Sequence, residues 1–210
     1  MPFLSSLAED AHLIDVFKKF PGLYRPLIEY HEILLRGPSP LTVAERELIA
    51  AYVSGLNSCH YCHGVHAATA EQFGVAEGLL DQLIENPEQA PIEERMKPLL
   101  AYVKKLTYTP SRLLPVDAQA VLVAGWNEQA LHDAVSVCGL FNLMNRLVDG
   151  LGVTGDAAYF KLASARLASG GYSGSAQTVP SLTWPVQESL ASESISFWTL
   201  VGLVFERANA

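Results

Sequence analysis

Between Thr42 and Gly74 the sequence specifies two helices with almost no chain to join them. Thr42 to Glu45 reads as a capping box, in which a threonine hydroxyl and a glutamate three residues on satisfy each other's backbone amides. It opens a helix over Val43 to Leu56. A second helix begins near Cys59, runs to about Phe73 and stops at Gly74. Asn57-Ser58 is all that lies between, and the serine reads as the cap of the second helix. Two helices joined so tightly can turn back on one another, which would lay the first against whatever the second carries.

The rest of the chain follows the same period. Leu13, Val16, Phe17 and Phe20 recur at helical spacing, and Pro21-Gly22 is expected to break that helix. Helical patterns follow over 27–34, 77–84, 116–124, 128–149 and 156–168. Another starts at Pro91, with Pro98 expected to kink it. Asn127 is placed to cap the long segment. No alternating strand pattern appears, so the fold class is all-α. Residues 1–170 are expected to form one helical domain. Residues 171–210 are expected to be a flexible joint (Ser169 to Ser175, then Pro180 and Pro185) followed by a helical tail over 186–207.

The second helix carries the chemistry. Cys59, Cys62 and His66 fall within about 60° of one another at roughly 100° per residue, with His63 close to the same stripe and His60 pointing away. Two thiols one turn apart can form a disulfide without unwinding the chain. The unpaired amides and dipole of a helix start favour a thiolate there. Glu47, on the preceding helix, can fold back over the thiols.

Several readings fit this cluster. Cys59 and Cys62 can cycle between dithiol and disulfide while His66 and Glu47 move protons. The same three side chains, Cys59, Cys62 and His66, can bind zinc with one position open. Cys59 to His63 also matches the C-x-x-C-H pattern of haem attachment. Finally, the cysteines can simply be small core residues. Haem attachment normally follows export, and the first ten residues have neither a basic stretch nor a long apolar one. Zinc lacks a second ligand pair at finger or ribbon spacing. The dithiol reading is preferred, and it requires no cofactor. Cys138, isolated in an apolar helix, reads as core.

Composition narrows the partners. The net charge is −8, and no basic cluster exceeds Lys18-Lys19 or Lys104-Lys105, which argues against nucleic acid and anionic membranes. No apolar run reaches the roughly 18 to 20 residues needed to cross a bilayer. Three cysteines without an export signal suggest the reducing cytoplasm. Half of the residues are hydrophobic and only 17% charged, against about 25% in a typical soluble chain, so a homo-oligomer is expected.

The segment after Asn127 holds a second feature. Asn142, Asn145, Arg146 and Asp149 share one helical side, with Glu128 at a similar angle. Such a stripe is either a solvated face or a buried set of hydrogen bonds that orients the cysteine helix. Aligning Glu45-Arg46-Glu47-Leu48 with Glu128-Gln129-Ala130-Leu131 sets Cys59 opposite Asn142 and Cys62 opposite Asn145, a weak hint of a duplicated helical hairpin.

The pattern Glu47-x11-Cys59-x2-Cys62-x3-His66, with Gly125-Trp126, Phe141-Asn142 and Asn145-Arg146-Leu147, resembles the AhpD-like carboxymuconolactone decarboxylase superfamily, and within it the peroxidase-related alkylhydroperoxidase branch. The resemblance covers roughly residues 20–170. It implies an AhpD-like all-helical homo-oligomer that reduces organic hydroperoxides, with an external thiol or dithiol as electron donor. By position, Cys62 is implied as the peroxidatic thiol, Cys59 as its disulfide partner, and His66 and Glu47 as the proton relay. AhpD itself has a histidine directly before the second cysteine; this chain has Tyr61, a poor base near neutrality, and His63 is the candidate substitute. Two alternatives are a decarboxylase or lactone-acting enzyme on the same scaffold, and a non-catalytic metal-binding or redox-sensing module.

Overall fold

The structure, a computed structural model, describes residues 2–176. These belong to one compact unit, Met1–Pro180, and all that follows concerns that unit. The helical tail expected over 186–207 lies outside the described residues. Among the described residues the fold is all-α, as the periodicity requires.

Helix α3 (Val43–Leu56) is the axis of the molecule. Every residue from Arg46 to Ser54 is buried, so the helix is enclosed by its neighbours rather than resting one face on them. Its start is the expected capping box: the Glu45 amide donates to Thr42 Oγ1 at 3.1 Å and the Thr42 amide to Glu45 Oε2 at 2.7 Å. Around it pack α2 (Pro21–Arg36), α4 (His60–Gln72), α5 (Leu79–Glu85), α6 (Met96–Tyr108) and α8 (Glu128–Gly150). Helix α1 (Leu13–Lys19) leans on α2, α7 (Pro115–Val123) on α6 and α8, and α9 (Ala157–Gly170) on α4. A last short turn, α10 (Ser173–Ala176), returns the chain to α2.

Three sequence expectations are corrected here. The first helix does end before Pro21-Gly22, at Lys19, but Pro21 also occupies the first position of α2, where its missing amide hydrogen costs nothing, so α2 starts six residues earlier than its apolar pattern. Pro98 produces no mid-helix kink, because α6 begins at Met96 and the proline lies in the first turn. Ser58 is not the cap of the cysteine helix. It sits at φ +57°, the left-handed conformation that closes α3. Its amide donates to the Gly55 carbonyl at 2.9 Å and the Cys59 amide to the Ser54 carbonyl at 2.9 Å, the paired bonds of a Schellman ending with serine where glycine is usual. Cys59 therefore ends one helix and caps the next.

Arg46 is 3% exposed and fixes the corner between α2 and α3 by donating from Nη1 to the Leu34 and Gly37 carbonyls, each at 2.8 Å. Those acceptors would otherwise be unpaired at the end of α2. The corner matters because Arg36, the last residue of α2, enters the site.

Candidate functional site

The shared Cys59 backbone fixes the thiol pair. Cys59 stands at the N-cap of α4 with its amide tied back into α3, and Cys62 follows one turn later. Both are free thiols and both are buried, Cys59 at 0% and Cys62 at 3% exposure. Their surroundings differ. Cys62 lines a cavity of about 70 Å³, together with His66, His31, Tyr61, Phe141 and Tyr172; Cys59 does not border it. The remaining wall is largely aliphatic and aromatic, so the space suits an apolar group.

The polar stripe on α8 supports this arrangement from behind. Asn145, 1% exposed, donates from Nδ2 to Ser54 Oγ at 2.9 Å, and Asn57 Nδ2 donates to the side-chain oxygens of Asn145 at 2.9 Å and Asn142 at 3.1 Å. The buried Asn145 and half-buried Asn142 thus form the hydrogen-bonded set behind the cysteine turn, whereas Arg146 and Asp149 on the same helix are exposed. A hydrogen bond with Cys59, then burial, push the Cys62 thiol well above the usual thiol range; a hydrogen bond from Asn145 offsets this only in part. Such a thiol stays protonated near neutrality unless a base removes the proton.

A histidine lies on the same helix. His66, one turn beyond Cys62, places Nδ1 2.7 Å from Glu47 Oε2. Glu47 is wholly buried, and its other oxygen, Oε1, accepts from Arg36 Nη1 at 2.6 Å and from the Tyr172 phenol at 3.0 Å. Burial alone would raise the Glu47 carboxyl, but the charges and hydrogen bonds of His66 and Arg36 outweigh it and hold the group below its ordinary value. An ionised Glu47 can only accept, so His66 Nδ1 carries the proton of this hydrogen bond and Nε2 is not used in it. The Phe141 ring meets the imidazole edge-on at 4.5 Å between centroids and limits its rotation.

The structure thus brings Glu47 and His66 into contact and puts His66 and Cys62 on one cavity wall, with Cys59 behind Cys62. It does not bring Tyr61 or His63 to the Glu47–His66 pair. The Tyr61 phenol lies 2.7 Å from that of Tyr159, and burial followed by this neighbour raise it far above its ordinary value, so it is no base. It remains on the cavity wall beside Cys62. His63 turns to the opposite side of α4, where Nδ1 bonds the Ala51 carbonyl at 2.9 Å and Nε2 lies 3.6 Å from Asp81. It does not border the Cys62 cavity, because one residue of helix swings a side chain through about 100°. Among the described residues, no group of three or more His, Cys, Asp or Glu side chains is arranged to hold a metal ion.

Two residues of the site were not found from sequence. Arg36 lies just beyond the apolar pattern over 27–34 and carries no sequence signal of its own. Tyr172 falls within a stretch of glycine and serine that reads as a joint. Tyr172 is 7% exposed, and the only local signal was one large aromatic residue among small ones.

Residues 21–91, which span α2 to α5 and contain Glu47, Cys59, Cys62 and His66, match the carboxymuconolactone decarboxylase family. Two solved structures share the fold. One is a peroxidase-related protein from Ralstonia eutropha JMP134, described as an alkylhydroperoxidase AhpD core. It is 25% identical with a TM-score of 0.66, over 71% of this chain and 78% of that one. The other is a peroxidase-related protein from Silicibacter sp. TM1040, 23% identical with a TM-score of 0.59, over 75% of this chain and 97% of that one. No protein of curated function matches. Family match over residues 21–91, helical architecture and structural likeness agree on an AhpD-like helical fold that contains a segment similar to the carboxymuconolactone decarboxylase family.

Proposed function

We propose that this protein is a thiol peroxidase that reduces organic hydroperoxides through Cys62 and Cys59. The observation that carries the reading is the placement of Cys62 in an apolar cavity with His66, whose ring is fixed by the buried Glu47, while Cys59 lies one turn away and outside the cavity.

The chemistry follows from that placement. His66 Nε2 takes the proton from Cys62 Sγ as the hydroperoxide enters. The thiolate attacks the terminal peroxide oxygen, an S–O bond forms and the O–O bond breaks, and the alkoxide leaves with the proton returned by His66, giving the alcohol and a Cys62 sulfenic acid. Cys59 then attacks the Cys62 sulfur, forming the disulfide and releasing water. An external thiol or dithiol restores the pair. The aliphatic wall favours an alkyl hydroperoxide over hydrogen peroxide. Tyr61 and His63 take no proton in this scheme.

The test is hydroperoxide consumption with several dithiol donors. The wild-type protein should turn over, Cys62→Ser should fall to the uncatalysed rate with its helical circular dichroism intact, and His66→Ala should lose roughly 10²–10⁴-fold. Full activity in Cys62→Ser overturns the reading. An inert dithiol together with turnover of a carboxylated lactone would replace it with the decarboxylase-type alternative.

A further inference from the structure

We propose that Arg36 and Tyr172 are positioning residues that hold Glu47 as a fixed counterion, so that the proton taken from Cys62 stops on His66. The inference rests on the Cys62–His66 reading above and adds to it the place where the proton is stored.

Both oxygens of the carboxylate are engaged. Oε2 meets His66 Nδ1 at 2.7 Å, and Oε1 accepts from Arg36 Nη1 at 2.6 Å and from the Tyr172 phenol at 3.0 Å. A proton moved from His66 onto Oε2 would neutralise Glu47 and leave the Arg36 guanidinium without its counter-charge. That guanidinium is only 13% exposed. It stacks between the Phe73 and Tyr172 rings at 5.1 and 4.9 Å and spends its other bonds on the Leu35 and Leu167 carbonyls, while Nε has no acceptor. A buried cation in apolar company cannot lose its partner cheaply. The alternative, a neutral Glu47–His66 pair passing protons outward, therefore needs a second change of charge at Arg36, whose hydrogen-bond partners among the described residues are Glu47 itself and two backbone carbonyls.

The groups that face Glu47 agree. Helix α2 contributes Arg36 and His31, α4 contributes His66, and the chain after α9 contributes Tyr172. Arg166 borders the same cavity, and Arg46, beside Glu47 on α3, is turned to the backbone of the α2–α3 corner. Tyr172 is itself fixed: Glu32 Oε2 accepts from the Tyr172 amide at 2.6 Å and the Ser173 amide at 2.9 Å. Gly171 permits this at φ +59°, where a Cβ would come within 2.7 Å of the Glu32 carboxylate. Glu32 thus clasps the segment that delivers the phenol.

The test follows the Glu47 carboxyl directly, through the carbonyl stretch of its protonated form in pH-difference infrared spectra, assigned by its loss in Glu47→Gln. In the wild type the band should appear only in acid. In Arg36→Gln it should appear at least one pH unit higher, with Tyr172→Phe shifted less and Arg36→Lys restored towards wild type. The acid limb of Cys62 alkylation should move upward with it. If Arg36→Gln does not fold, Arg36→Lys and Tyr172→Phe carry the comparison. An unmoved Glu47 band in the arginine and tyrosine variants, or a protonated Glu47 in the wild type near neutrality, overturns the proposal. Neither measurement uses a hydroperoxide, so failure here leaves the peroxidase reading standing, and loss of that reading leaves this result intact.

Discussion

His31 shows how a single residue links the cavity to the stability of the fold. Its Nδ1 lies 2.7 Å from the Leu27 carbonyl, which can only accept, so Nδ1 carries a proton. Burial pulls its pKa down to about 4, with the Leu27 bond opposing and the charge of His66 assisting. In the unfolded chain the ring takes up a proton near 6.5 and in the folded protein it does not. Stability is therefore full above 6.5 and falls as the pH drops towards 4. Between pH 6.5 and 4.5 the loss should be about 2–3 kcal/mol. Urea unfolding midpoints should show this slope in the wild type and a much flatter one in His31→Gln. Below 4.5 a second loss should set in as Glu47 gains its proton in the unfolded chain while the fold holds it ionised to lower pH. The sulfurs allow a second prediction. Because Cys59 is the first cause of the raised Cys62 thiol, Cys59→Ser should lower the pH midpoint of Cys62 alkylation by a small uncharged reagent. An unchanged or higher midpoint would mean that burial alone sets it.

At the scale of elements, the turn between α3 and α4 bears the most constraint on the fewest residues. Ser58 is exposed, so its side chain contributes little, yet its backbone sits at φ +57°. A β-branched residue is disfavoured there, and Ser58→Val should cost about 1–3 kcal/mol by denaturant titration. Gly64 imposes the second constraint, since a Cβ there would come within 2.3 Å of the Phe160 ring. That contact is what lets α9 lie close on α4 and brings Tyr159 to Tyr61. Gly64→Ala should destabilise by about 1–3 kcal/mol through overpacking and should weaken the cavity wall beside Cys62. Much of this region was legible in the sequence. The Thr42–Glu45 capping box, the Asn127 cap and the stop at Gly74 are local chemistry, and each appears where its residues demand. The role of Ser58 was misread because serine is far commoner as a helix cap than as a left-handed terminator. Helix α2 was cut short because Pro21 reads as a break between helices, although a proline is tolerated in the first turn and α2 begins with it.

Across the whole molecule, local and long-range information separate clearly. Glu47 was found because it shares a helical hairpin with the thiols, so that spacing alone carries it to His66. Arg36 lies 11 positions before Glu47 across a corner, and Tyr172 lies 125 positions after it, so no periodicity connects them. The unequal fates of Asn142 and Arg146 on one helical side also depend on which neighbour covers each, and that is a tertiary fact. The low charge content leads to a last prediction at this scale. Among the described residues, Leu23, Tyr30 and Ile33 form an apolar stripe on α2 at 67%, 44% and 70% exposure, spaced to lie on one face. Scattered exposed apolar residues are ordinary, but a contiguous row along a helix is a surface suited to association. The face opposite it includes His31 and Leu35, which are buried, so the stripe is not needed for the packing of this unit. Light scattering at micromolar concentration should therefore find an oligomer, and Leu23→Lys with Ile33→Lys should shift it towards monomer while leaving the helical circular dichroism intact. A wild-type monomer, or a charged double variant that assembles as before, would show that this stripe does not drive association.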